Sequence, residues 1–315
     1  MPREDTLGSL GSREAAFAAD EDIAARHGTD KRAARLRIAA KLTQFWVEYK
    51  NLPLLQKPGF IDKSNKLTSE GARKVRSEVV RLLREAPLTH GFNPAIWFSA
   101  SADVGTTMKN CWHLNLGSNM REKTESHLFR YTGANATPQM QTYAAGGKAS
   151  NTFSANTRPF YASLNYSRAK CGGSSGYGKT HFIMRNHMRF NATYTSMDSF
   201  GIETEHQANG WTVLANYHNV YPIIVGVPNG ANDQGGRPTF DVLKSMIDHA
   251  LGRVAAPMEE FDGRQYIEAQ IPGDIHFARD IDKIVIDSTV VPRGSVIGKR
   301  CDQFAAQHSL LIKFV

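Results

Sequence analysis

The chain has 315 residues, 41% of them hydrophobic and 22% charged, with a formal net charge of +8. That supports one large folded domain or two smaller ones and excludes a disordered or fibrous chain. No apolar run approaches the roughly 20 residues of a membrane helix, and Cys111, Cys171 and Cys301 lack metal-ligand spacing, so neither membrane insertion nor a bound metal is expected.

In chain order, the N-terminus lacks the basic start and apolar core of a cleaved signal peptide, and its first dozen residues are expected to be disordered. The odd cysteine count fits reduced thiols in a cytoplasm. Residues 14–48 are Ala-rich with apolar residues three and four apart, which predicts helix, broken at Gly28 and Thr29 and restarted with Asp30 as cap. A Pro-bearing connector leads to a third helix, capped by Thr68 or Ser69. It buries Val75, Val79, Val80, Leu82 and Leu83 and is stopped by Pro87. Residues 1–90 therefore read as a helical lobe. Its 17 Lys/Arg against 12 Asp/Glu are first of all solvated helix faces, and secondly a surface for an acidic partner. Aromatic residues are not interleaved with the basic ones, so nucleic-acid binding is not expected.

After Gly91 the texture changes. "PAIWFSAS", "CWHLNL", "PFYASLNY", "THFIMR", "ATYTSM", "TVLANY", "YPIIVGV", "YIEAQI", "DKIVIDS" and "SLLIKFV" are short, rich in β-branched and aromatic residues, and separated by Gly, Asn, Ser and Pro. They predict strands. "PTFDVLKSMIDHALGRVA" predicts one late helix. Strands without regular helix alternation indicate an α+β class and argue against a doubly wound parallel sheet. The polar stretch from about 117 to 157 is too long for a structureless loop, so it is functional or hides short elements.

Gly173 to Thr180, "GSSGYGKT", matches the phosphate-binding pattern G-x-x-x-x-G-K-[ST] at every position. A phosphate loop must follow a buried strand and open a helix. Here the approach, "NYSRAKCGG", is polar and basic, and the exit alternates like a strand. The letters are present in the wrong context, so a P-loop nucleotide hydrolase is kept only as a rival.

Two further stretches, "RPFYASLNY" and "YIEAQIPGDIHFARDIDKIVID", join "YGKTHFIMR" and "NATYTSMDS" in an order and spacing that resemble a bacterial domain family patterned RPxYGALN, FGxxHFxLR, a Thr/Tyr-rich strand, YIEAQxHG and xxxARDVExLVLD. That family is similar to the mono-ADP-ribosyltransferases, and some members are effectors delivered into host cells that attach ADP-ribose to a threonine of ubiquitin. The resemblance covers roughly residues 110–290. Ala162-Ser163 replaces the usual Gly-Ala, and Pro272 stands where a His is common. It implies a mixed-sheet ADP-ribosyltransferase-like fold over residues 91–315, NAD as substrate, ubiquitin as partner, and a monomer secreted without a cleaved signal and acting in the host cytoplasm.

ADP-ribosyl transfer breaks the nicotinamide–ribose bond through an oxocarbenium-like transition state, so a carboxylate against the ribose is the expected main catalyst. In "YIEAQI", alternation sends Ile267, Ala269 and Ile271 to the core and puts Tyr266, Glu268 and Gln270 on the other face. Glu268 is the expected catalytic carboxylate, with Tyr161 stacking on the nicotinamide and Ser163 beside it as a hydrogen-bonding group. Under the same resemblance, His113, Asn115, Arg158, Asn165, His181 and Arg185 are expected to bind NAD, with Arg158 on the pyrophosphate. Thr195 and Ser196 are expected to support Glu268. A second rival is a non-catalytic module that only docks on a host protein.

Overall fold

The computed structural model describes residues 23–114, 121, 124, 125, 128, 158–199, 214–228, 230, 240–253 and 266–315, with side chains from residue 29 onward. Eight strands form one mixed sheet. They are β1 (Leu88–Gly91), β2 (Phe160–Leu164), β3 (His181–Met184), β4 (Thr193–Thr195), β5 (Ala215–Asn216), β6 (Glu268–Ile271), β7 (Ile281–Ile286) and β8 (Leu311–Phe314). Their order across the sheet is β5-β4-β6-β2-β1-β3-β7-β8. Every pair is antiparallel except β7–β8. The architecture is mixed α/β, as the strand-rich pattern predicts.

Among the described residues, five helices longer than one turn accompany the sheet: α1 (Ile23–Gln44), α2 (Ser69–Glu85), α3 (Tyr221–Gly226), α4 (Val242–Ala250) and α5 (Val296–Gln307). α1 and α2 pack on each other and on α4, α1 also packs on α3, and α3 reaches β4. Thr68 caps α2 as expected, its Oγ1 accepting from Gly71 N at 2.7 Å. Such a cap contributes about 1 kcal/mol. Val75, Val79, Val80 and Leu83 are buried along the helix. Each contributes about 1.5–3 kcal/mol by leaving water.

Several expected elements take a different form. α1 runs unbroken through Gly28 and Thr29, and Asp30 lies inside it rather than capping a second helix. "PAIW" is a helical turn, because Asn93 Oδ1 accepts from Ala95 N at 3.0 Å and Pro94 supplies the first helical φ. "YPIIVG" is α3, again with Pro at its start. Arg37 from α1 holds the carbonyls at its far end, those of Ile224 and Val227 at 2.9 Å and that of Val225. A short apolar run does not by itself distinguish strand from buried helix, and here the caps decide.

The lobe boundary drawn at residue 90 runs through β1. β1 lies in the middle of the sheet, bonded to β2 on one side and β3 on the other. One continuous core extends from Ala34, Ile38 and Leu42 of α1 through the sheet to Phe304 and Leu310. The helical segment and the sheet therefore fold around a shared interior.

Candidate active site

β6 is flanked by β4 and β2, and all four of its residues are buried, so both of its faces are covered as well as its edges. Ile267, Ala269 and Ile271 enter the core, as alternation requires. The opposite face is polar and in register across four strands. Thr195, Glu268, Ser163 and Thr89 form one row, and Thr193, Gln270 and Tyr161 form the next. A period of two places every second side chain of each strand on this face, which explains how residues far apart in sequence meet.

Glu268 is only 1% exposed. Its Oε1 accepts from Gln270 Nε2 at 2.9 Å and from Ser199 Oγ, and its Oε2 accepts from Tyr266 Oη at 3.1 Å. Gln270 is oriented in turn by Thr195 Oγ1 (3.0 Å) and Thr193 Oγ1 (3.0 Å). Burial first, and then the charge of Asp198, push the Glu268 carboxyl up to about 7, while Arg121 and the Ser199 and Gln270 hydrogen bonds oppose the rise. A carboxyl poised near neutral pH can stabilise a cation when ionised and can accept a proton.

A cleft of about 290 Å³ lies over this row. Glu268, Tyr161, Ser163, Thr89, Arg121 and Tyr177 are among its walls, and Lys109, Asn110 and Cys111 line it as well. Arg121 lies over the Tyr161 ring, 4.2 Å from its centroid. Tyr161 Oη donates to Glu125 Oε1 at 2.8 Å. Glu125 also receives Arg158 Nη1 at 2.8 Å and Trp112 Nε1 at 3.1 Å to both oxygens. Both partners of the Glu125–Arg158 ion pair are fully buried, and Arg158 lies 5.1 Å over the Trp112 ring. Burial raises the Glu125 carboxyl, and Arg158, Tyr161 and Trp112 pull it back down.

Glu268, Tyr161 and Ser163 meet in the cleft as expected. Thr195 supports the carboxylate through Gln270, but Ser199, not Ser196, touches it. The expected dinucleotide ligands mostly lie elsewhere. Arg158 is committed to Glu125 beneath the cleft wall. His113 is exposed and sits in a turn rather than a strand, because Asn110 Oδ1 accepts from the backbone N–H groups of Trp112 (3.0 Å) and His113 (3.1 Å). Asn165 closes a local loop, bonding both backbone groups of Ala169. His181 is buried, donates to Lys179 O at 2.9 Å, and is held below its ordinary pKa by burial. Arg185, exposed just past the end of β3, donates to Ile281 O at 3.1 Å. None of these five side chains lines the cleft. Asn115 lies outside the described residues.

Sequence reasoning missed Glu125, Arg121, Ser199 and the β1 residues Thr89 and His90. Thr89 Oγ1 lies 3.0 Å from Ser163 Oγ. His90 Nδ1 donates to Tyr161 O at 2.9 Å, and burial pushes its pKa down to about 4, so it is neutral at physiological pH. Glu125 and Arg121 come from the polar stretch already marked as hiding short elements, and both residues are helical.

The phosphate-loop letters spell a different structure. Ser175–Tyr177 is a single 3-10 turn, and β3 follows it, not a helix. Thr180 is buried, its Oγ1 accepting from Asp287 N at 3.1 Å, and Lys179 is exposed outside the cleft. The glycines have steric reasons. A Cβ on Gly173 would lie 2.8 Å from Ser163 Oγ, and Gly178 has φ +105°. Among the described residues, no group of three or more His, Cys, Asp or Glu side chains could hold a metal ion, and no helix is long and apolar enough to cross a membrane.

Residues 114–314 match the model of a family described as "Protein of unknown function (DUF3626)", and the chain belongs to that family. No curated protein matches it.

Proposed function

We propose that this member of the DUF3626 family is a mono-ADP-ribosyltransferase that moves ADP-ribose from NAD to a protein hydroxyl, and that its sheet is an ADP-ribosyltransferase-like NAD fold. The observation that carries this reading is Glu268: a buried carboxylate on a central strand, held by neutral donors and poised near neutrality, with Tyr161 and Ser163 beside it in one cleft. A cavity of about 290 Å³ is at the small end for ligand sites. It suits the nicotinamide and its ribose, with the remainder of NAD lying across the mouth.

In this reading, the Tyr161 ring packs against the nicotinamide. Ionised Glu268 faces the ribose and stabilises the cation that develops as the C–N bond opens. Arg158 is spent on Glu125, so the pyrophosphate falls to Arg121 and Lys109, the Arg and Lys of the cleft wall among the described residues. A hydroxyl acceptor is a weak nucleophile, and its orientation by the bound partner supplies much of the rate. The proposed acceptor is a threonine of host ubiquitin, reached by a secreted bacterial effector acting as a monomer in the host cytoplasm.

The test is incubation of the full chain with labelled NAD and ubiquitin, and in parallel with a host-cell lysate. Label on protein with wild type and none with Glu268→Gln supports the proposal. No label in either mixture, or equal label from the variant, overturns it, the latter in favour of a cleft that does not use Glu268.

A further inference from the structure

Outside the row on the sheet, one arrangement is not used by the mechanism above. Tyr266 Oη lies 3.1 Å from Glu268 Oε2 and 3.4 Å from Tyr177 Oη, and Tyr177 Oη lies 3.4 Å from Asp198 Oδ2. The two rings pack edge to face at 5.8 Å and 86°, which keeps their hydroxyls together. Tyr266 is buried, whereas Tyr177 is 51% exposed and Asp198 partly exposed. The line therefore starts at the buried carboxylate of Glu268 and ends at the surface.

We propose that Tyr266, Tyr177 and Asp198 form a proton exit from Glu268 to solvent. The relay takes its proton from the transferase reading, but its wiring does not depend on that reading. In the transfer, the acceptor oxygen bonds to ribose C1′. The C1′–N bond breaks, and its electron pair leaves with the now neutral nicotinamide. The acceptor's hydroxyl proton passes to Glu268 Oε2. Tyr266 accepts it on its oxygen while giving its own proton to Tyr177, and Tyr177 likewise gives its own to Asp198, which releases a proton to water. While Glu268 is ionised the single Tyr266 proton points to Oε2; once Oε2 carries the acceptor's proton, the Tyr266 hydroxyl turns to Tyr177, whose own proton already points to Asp198. One proton leaves and no tyrosine ends charged, which matters because burial and the neighbouring acids raise both phenols above their ordinary pKa. The two outer links are long for O–H···O bonds, as catalytic contacts commonly are before substrate tightens them. The other groups acting on Glu268 are Arg121, Ser199 and Gln270, and none of them lies on this line.

Tyr177→Phe keeps the ring and removes one link. Two measurements on the full chain test it. The first is infrared detection of the protonated Glu268 carbonyl, assigned with Glu268→Gln, after a rapid jump into D₂O at pH 6. Its band shifts as the proton exchanges with solvent. We expect exchange at least 10-fold slower in Tyr177→Phe, and also slower in Asp198→Asn. The second is transfer kinetics, in which kcat falls about 10-fold with KM for NAD unchanged. Equal exchange rates in wild type and variant overturn the relay, as does a raised KM at unchanged kcat, which gives Tyr177 a binding role. If wild type transfers nothing but exchange slows in the variants, the transferase reading falls and the relay stands.

Discussion

Glu125 and Glu268 are both withdrawn from water, and the company each keeps differs. Glu125 meets a guanidinium at 2.8 Å, with an indole N–H and a phenol completing its shell. Glu268 is held by two hydroxyls and an amide, and Asp198 adds a like charge nearby. An ion pair with satisfied geometry fixes a charge in place, and removing one partner leaves the other stranded. Neutral donors leave the charge adjustable, so protonation and substrate can both change it. Burial is common to the two sites; a cation in hydrogen-bond contact is what sets Glu125 apart from Glu268.

The sharpest break of that contrast is Arg158→Ala. It leaves Glu125 buried without its cation, and we expect a loss of about 3–5 kcal/mol in urea unfolding. Transfer activity should fall only as far as folding does. Glu268→Gln should do the reverse. In the transfer assay we expect activity to fall by about 10³-fold, equivalent to about 4 kcal/mol of transition-state stabilisation. The same variant should be more stable than wild type above neutrality. The folded pKa of Glu268 is raised from 4.5 to about 7, so its contribution to stability is fully present below 4.5 and is lost as pH rises through about 7. Gln does not titrate. Its stability relative to wild type should therefore grow between pH 5 and pH 8, by up to about 3 kcal/mol, and a difference that stays flat across that range would count against the shifted carboxyl. Transfer by wild type should rise over the same window, as the ionised form appears.

Two milder changes probe the glycine loop that packs on β2. Gly173→Ala adds a Cβ 2.8 Å from Ser163 Oγ and 3.0 Å from the backbone of Leu164 and Asn165. Overpacking of this kind costs about 1–3 kcal/mol, visible as a lowered Tm, and it should displace Ser163. Lys179→Ala, by contrast, should stay within about 0.5 kcal/mol of wild type, with NAD binding by calorimetry unchanged. A lost affinity there would restore the phosphate-loop reading.

What could be read from the sequence was whatever rests on strand alternation. "YIEAQI" and "RPFYASLNY" put Glu268, Tyr161 and Ser163 on the right faces, because a two-residue period is local information. What could not be read was pairing at a distance. Nothing near Arg158 says that its guanidinium is spent on Glu125, 33 residues earlier, and Glu125 sits in a stretch without periodicity. His113 was misplaced because one Asn110 side chain turns the backbone where β-propensity predicts a strand. Ser199 and not Ser196 reaches Glu268 because the chain bends after β4, and bends carry no period.

The central position of β1 also bears on how the chain folds. Thr89 must find Ser163 across 74 positions, and Thr193 must find Gln270 across 77. Pairings so far apart close large loops before any contact compensates for the lost entropy, which slows folding and lengthens the exposure of strand edges. The sheet is therefore expected to form late. The segment ending near residue 90 supplies its middle, and a chain shortened there loses the seam that joins β2 to β3.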